Sequence, residues 1–333
     1  MSADRYRRAV GWAAARTRLR GSSRVGLAIV AALAFASTGE ARVYWANFNN
    51  ASGSTIGVAN LDGSGANPSL VTGAAGPCGV AVDGFYVYWA NFLGASIGRA
   101  GKDGSNPVQS FISTGTAPCG VAVSGQFVYW ADTGFGAGTN IGRANLGGGN
   151  ADDAFITGGS GPCGVAVDGQ HIYWANNAAG TIGRANLDGT DVDQAFIASA
   201  GATPCGVAVD GNYIYWANSF GGTTVGRANL DGSNVISNFI SGLSSPGGVA
   251  VGGGFIYWGE VASGAVGRAN LDGSNVNTSF IATSSSPLGV ALDPPASEIP
   301  ALSTLGLGLF AIALFAAALL TLACRRRQLP APR

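Results

Sequence analysis

The chain has 333 residues, with 18 basic and 18 acidic side chains, 11% charged residues and 54 glycines. Neutrality hides an asymmetry: between 43 and 296 there are six cations against fifteen acids, so this part is nine charges negative. Such a surface repels nucleic acid and anionic lipid, which are held through phosphate contacts and cationic side chains.

Residues 1–41 read as an export signal. Seven arginines between Arg5 and Arg24 precede Val25 to Ala36, an apolar run of 12 residues. As a helix it is roughly 18 Å long, too short for about 30 Å of hydrocarbon. Ala34-Phe35-Ala36 fits a signal-peptidase site, with Gly39-Glu40-Ala41 as a second choice. An uncleaved signal anchor is the alternative. Arg7-Arg8 hints at twin-arginine export but stands far from the apolar run.

From residue 43 the chain repeats itself. Tyr-Trp pairs begin at Tyr44, Tyr88, Tyr129, Tyr173, Tyr215 and Tyr257, at spacings of 44, 41, 44, 42 and 42 residues. A fixed period of this size marks a solenoid or propeller. In one copy, Val165-Ala166-Val167 leads through Asp168-Gly169 into His171 to Asn176. A glycine-containing loop then leads to Thr181 through Leu187. Asp188-Gly189 turns the chain again, toward a run around Ala195-Phe196-Ile197. Asp-Gly suits hairpin turns because glycine adopts positive φ at no steric cost. The reading is four short strands per repeat and no helix. Small residues such as Gly183, Ala185 and Ala166 are expected to let a neighbouring sheet approach.

Six four-stranded sheets that cover one another's faces make a β-propeller. The first Tyr-Trp strand lacks a preceding Gly-Val-Ala strand, and the last such strand, Gly289 to Leu292, lacks a following Tyr-Trp strand. The two leftovers complete one blade if Val290-Ala291-Leu292 pairs with Val43-Tyr44-Trp45, which also removes two exposed sheet edges. The fold class expected is all-β, a six-bladed β-propeller of four-stranded blades over 43–293, with an N-terminal signal helix and a C-terminal transmembrane helix.

Residues 294–304 form a Pro-Pro linker and a short motif. Leu305 to Cys324 follows, 20 apolar residues without a charge, then Arg325-Arg326-Arg327 within a basic tail, 325–333. As a helix, 305–324 is about 30 Å long, enough to span. The arginines place the tail in the cytoplasm and the propeller outside. Ile299-Pro300-Ala301-Leu302 ahead of such a helix resembles the bacterial IPTL-type sorting tails. That resemblance implies recognition of Ile299, Pro300, Leu302 and Arg325 to Arg327 by an exosortase-type sorting protease, which releases or re-anchors the protein. Ala301 stands where that family has Thr. A plain membrane anchor is the other reading. Either way the protein is exported, from a bacterial source, and held at the cell membrane or surface.

The repeat pattern P-x-G-x-A-x-D, then I-Y-W, then I-x-x-A-x-L-D-G, resembles the YWTD repeat of the low-density lipoprotein receptor family. The resemblance implies six blades. It departs at the tetrapeptide itself, Tyr-Trp-Ala-Asn in four copies, Tyr-Trp-Ala-Asp at 129–132 and Tyr-Trp-Gly-Glu at 257–260. The flanking cysteine-rich modules are missing, so no receptor ligand is carried over.

Cys78, Cys119, Cys163 and Cys205 share one slot, Pro-Cys-Gly, in four consecutive repeats, and Gly247 and Leu288 replace it in the last two. The resemblance puts this slot beside the axis. An exported chain with an even set points to disulfides, and the expectation is Cys78–Cys119 and Cys163–Cys205. Buried free thiols, or a thiolate metal site on the axis, are the alternatives. Cys324 lies apart in the apolar helix.

Asp188, Asp191 and Asp193, within DGTDVD, are weak candidates for calcium, since alternating acids on a loop supply oxygens. They lack the terminal Glu of an EF-hand loop, and solvated turn acids are the reading preferred. No other cofactor is expected. Arg99, Arg143, Arg184, Arg227 and Arg268 recur once per blade, with Val58 in the first. They are read as architecture over a neighbouring aromatic ring, with anion binding as the alternative. The lone histidine, His171, is placed in a slot that is polar or glycine-like in sister copies. No catalytic residue is assigned: there is no Ser-His-Asp set, and general acid–base work most often uses histidine. The deviations Glu260, Asp132 and Gly147 are the places where an enzyme would show itself, Glu260 first. The function expected is extracytoplasmic binding or scaffolding by a monomeric propeller, through the divergent loops 132–140 and 259–265. The partner is an unidentified protein or polysaccharide. The competing class is a channel-metal hydrolase or lyase, lactonase-like.

Overall fold

The computed structural model describes residues 41–48, 54–283 and 285–294. The signal segment 1–40, the motif residues Ile299, Pro300 and Leu302, the span 305–324 and Arg325, Arg326 and Arg327 lie outside the described residues. No described helix is long and apolar enough to cross a membrane.

The described chain is a ring of six four-stranded antiparallel sheets. Blade 4 stands for the rest: Pro162–Val167 innermost, then His171–Asn176, Thr181–Asn186 and Asp193–Ile197 at the rim. Blade 1 is closed by the end of the chain. Its innermost strand, Pro287–Leu292, pairs with Arg42–Asn47 in the register expected, Val43 with Leu292, Tyr44 with Ala291 and Trp45 with Val290. The Asp293 N–H donates to Arg42 O at 2.9 Å, and the Arg42 N–H to Asp293 Oδ2 at 3.1 Å. Lys102 of blade 2 adds an ion pair to Asp293 Oδ1 at 2.6 Å.

The core lies between blades. Tyr173, Ala175, Ile182 and Ile197 of blade 4 pack against Val207, Ile214, Trp216 and Ala228 of blade 5. Six such clusters close the ring. In each, the Tyr of one blade and the Trp of the next face each other, because successive side chains of a strand point to opposite faces. All six Trp rings are fully buried.

One expectation needs correcting. Ala166 does face the next blade. Gly183, however, makes room for Trp174, its cross-strand partner in the same blade. A Cβ there would stand 2.2 Å from Trp174 Cε2. Each tryptophan lies flat over such a glycine, so the period of Trp and the period of Gly are one feature.

Because the strands alternate in direction, the loops between second and third strands share a face with the starts of the innermost strands. This upper face carries the loops that differ between blades. The lower face carries the repeated Asp-Gly turns.

Candidate binding face and axis

Each innermost strand starts with a bulge. In blade 4 the register breaks between Pro162, opposite Asn176, and Val165, opposite Trp174. A bulge re-aims side chains, and here it releases Cys163 and Gly164 from the ladder. The glycines so released form a ring. A Cβ on Gly79 would stand 3.1 Å from Gly120 Cα, one on Gly120 2.7 Å from Gly164 Cα, and one on Gly289 2.7 Å from Gly79 Cα. Gly164, Gly206 and Gly248 complete the circuit. The inner strands touch backbone to backbone at this level, with no space for a side chain.

The cysteines cap this ring. Cys78 is bonded to Cys119 and Cys163 to Cys205, with Cα separations of 4.9 and 4.8 Å, both within reach of a bridge. Cys119 Sγ and Cys163 Sγ are 3.8 Å apart, so the bridges touch. Cys119, Cys163 and Cys205 lie close enough for a thiolate metal site, but all four sulfurs are paired in this structure. Phe92 and Leu288 pack over them.

Asp188, Asp191 and Asp193 do not converge on a common point through their bonds. Asp188 Oδ1 accepts the Thr190 N–H and hydroxyl, Asp191 Oδ2 accepts Asn186 Nδ2 at 2.8 Å, and Asp193 Oδ1 accepts the Ala195 N–H at 2.9 Å. The Thr190 hydroxyl, then its N–H, holds Asp188 below the usual carboxylate range. The same turn recurs as Asp62 with Ser64, Asp103 with Ser105, Asp231 with Ser233 and Asp272 with Ser274.

The arginines lie between rings of their own blade. Arg227 Cζ stands 4.3 Å from the Tyr213 ring and 3.9 Å from Phe239, and Nη1 donates to Leu271 O of the next blade. Arg99, Arg143 and Arg268 repeat the sandwich. His171 corrects another expectation: four of its sister positions are aromatic, Tyr86, Phe127, Tyr213 and Phe255, and the one in blade 1 is Arg42. It fills the aromatic slot beside Tyr173, and Arg184 stacks on Phe196.

The residue two places after the tryptophan is buried in every blade. Where it is Asn, its Nδ2 donates to the rim strand of the same blade: Asn47 to Pro68 O, Asn91 to Gln109 O, Asn176 to Gln194 O and Asn218 to Ser237 O. In Asn91 and Asn176, Oδ1 accepts an N–H from the loop arriving from the preceding blade. Glu260, the sequence favourite, is fully satisfied: Oε1 accepts from Trp258 Nε1 at 2.7 Å and Oε2 from the Ser244 N–H at 2.6 Å. Asp132 is different. Burial raises it above the usual carboxylate range, Asp153 nearby adds to this, and the Thr116 hydroxyl and Gly134 N–H work against it. Its Oδ1 is buried without a donor, and so is Asp153 Oδ1.

An open cleft of about 480 Å³ lies on the upper face of blade 5, lined by Gly201 to Thr203, Phe220 to Thr224 and Asn218. Phe220 is 65% exposed at φ 52°. Leu93, in the corresponding loop of blade 2, is 54% exposed. The sequence reading picked loops 132–140 and 259–265 and missed this one. Its signal was there: Phe220 is an aromatic in the loop after Tyr-Trp-Ala-Asn, as Phe48 and Phe92 are in blades 1 and 2, and here two glycines follow it.

No family model and no curated protein matches the chain. Among solved structures, the nidogen/laminin complex contains a chain with a TM-score of 0.63 and 21% identity, covering 76% of this chain and 98% of that one. A gluconolactonase from Xanthomonas campestris matches with 0.52 and 18%, covering 64% and 78%. Virginiamycin B lyase from Staphylococcus aureus matches with 0.51 and 17%, covering 75% and 92%. At these identities the likeness is one of fold, and the fold shared is the six-bladed propeller.

Proposed function

We propose that this protein is an exported recognition propeller that binds a protein or polysaccharide on its upper face. In this reading segments 305–324 and 325–333 anchor it to the membrane or serve a sorting protease, the ring acts as a monomer, and nucleic acid is no partner. The observation that carries it is the division of labour around the ring. The repeats are used up in packing, while the variable loops bring an exposed Phe220, an exposed Leu93 and an open cleft to one face. Loops held by a rigid scaffold are where binding residues concentrate, and a fold by itself assigns no activity. The nidogen/laminin likeness supports a propeller working in a complex.

The second reading is a metal-dependent hydrolase or lyase, and the gluconolactonase and the virginiamycin B lyase support it to the same extent by fold. It needs polar ligands gathered on the axis. The six-glycine ring and the paired cysteines speak for the binding reading at that place.

The test exchanges Ser219 to Thr223 for the blade 4 loop Asn177 to Gly180 in the full-length chain. Saturable binding to cell-surface polysaccharide or exported protein fractions is expected for the parent and lost in the exchange, with an unchanged melting midpoint. Chelator-sensitive lactone or lyase turnover by both chains would overturn the proposal.

A further inference from the structure

Four blades solve one bonding problem in the same way. A rim-strand carbonyl accepts the Nδ2 of the buried Asn, and a Ser or Thr hydroxyl supports it: Thr55 to Pro68 O, Ser96 to Gln109 O, Thr181 to Gln194 O and Thr224 to Ser237 O. In blade 3 neither of these two bonds is found. Asp132 replaces the Asn, Asn140 replaces the hydroxyl, and the carbonyl in question is that of Asp153. Where blade 4 has Gln194, whose Oε1 takes the Trp174 and Asn176 donors, blade 3 has the Asp153 carboxylate. Asp153 Oδ2 accepts the Gly115 N–H at 2.9 Å, and the Thr116 hydroxyl and Gly134 N–H lie against Asp132, but one oxygen of each carboxylate is left over.

The oxygens left over are buried. Asp132 is 3% exposed. Its Oδ1 and Asp153 Oδ1 have no partner. Among the described residues no ion pair reaches either of them. Arg143, across the ladder from Asp152, is committed between Phe127 and Phe155. Glu260 shows how a single acid in this slot can be accommodated, by reaching the Trp258 and Ser244 donors. Asp132 is one methylene shorter, and Trp130 Nε1 is left without an acceptor, as Trp45 and Trp89 Nε1 are in blades 1 and 2. A buried charge without a partner is costly, so such groups pair or coordinate metals.

We propose that blade 3 carries a site for a hard divalent cation of the calcium class, held by the carboxylates of Asp132 and Asp153 and the Asp153 carbonyl, with the Thr116 hydroxyl and Asn140 Oδ1, which accepts the Thr139 hydroxyl at 3.0 Å, at its edge. Oxygen-only donors with two carboxylates suit calcium, which takes six to eight oxygens in flexible geometry. The site lies at the root of loop 133–139 on the upper face, so the ion ties that loop to the blade. This goes beyond the binding reading and stands whether or not that reading does.

The test uses the full-length chain stripped with a chelator. Millimolar calcium is expected to raise the melting midpoint by about 5 °C or more, because a ligand that binds only the folded form stabilises it. Terbium is expected to luminesce when tryptophan is excited, since Trp130 adjoins the site. Asp132→Asn restores the donor that four sister blades use. It should abolish both responses while melting, in chelator, at or above the parent. Asp153→Asn gives a second variant with the same expectation. The pair Asp191→Asn with Asp193→Asn should leave both responses intact. No calcium response in the parent would overturn the proposal. So would a response that survives Asp132→Asn and vanishes with the Asp191 and Asp193 pair, which would put the ion on the exposed turn.

Discussion

Five aspartates at the lower turns are each held below the usual carboxylate range, first by the hydroxyl of a Ser or Thr two residues on and then by its N–H. The sign of the consequence is fixed by linkage. A carboxylate whose folded value lies below its unfolded value gives stability that is present above the unfolded value and lost as the pH falls through the folded one. The denaturation midpoint is therefore expected to decline as pH drops from about 4 toward 2, and more gently in Ser233→Ala with Ser274→Ala. Blade 3 has Gly147 in this slot and so lacks this aspartate. These turns were legible in the sequence, because Asp-Gly with a following Ser or Thr is local chemistry. The Asp132–Asp153 pair was not. Each residue is unremarkable in its own strand, and the conflict appears only when the second and rim strands are laid side by side.

Strands explain why the repeat was readable at all. Tyr and Trp face opposite neighbours, Gly lies beneath Trp, and Val and Ile fill the remaining core, so every blade needs the same letters at the same places. The arginine belongs to this set, since it joins the third strand to aromatic rings of the second and the rim strand and to a carbonyl of the next blade. Arg227→Ala is expected to cost about 1–2 kcal/mol in chemical denaturation, and Arg227→Lys less. No change in either would return the arginine ring to the anion-binding reading. His171 escaped a correct sequence reading because its slot is defined by stacking, and the sister residues there are Tyr, Phe and Arg42.

At the scale of the ring, the unequal counts of strands at the two chain ends were enough to foresee the closing pair. The glycine circuit was not foreseen, since it depends on bulges that turn six separate strands toward one line. The bridges join blade 2 to blade 3 and blade 4 to blade 5, across 41 and 42 residues. Restraining the unfolded chain over such loops is worth about 4 kcal/mol per bridge in the chain-entropy treatment. Cys78→Ser with Cys119→Ser should lower the denaturation midpoint. A reducing agent should lower that of the parent further, because it opens both bridges. Equal midpoints in oxidised and reduced parent would show that the cysteines play no part in holding the ring.

Arg42 and Asp293 clasp each other where the chain enters and leaves the ring. Both stand at the lower ends of their strands, so residues 41 and 294 depart side by side from the face opposite Phe220 and the cysteine cap. Any leash, by either terminal segment, therefore holds the propeller from below. A pull applied at residue 41 or 294 is therefore taken up at the Arg42–Asp293 clasp before it reaches any loop of the upper face.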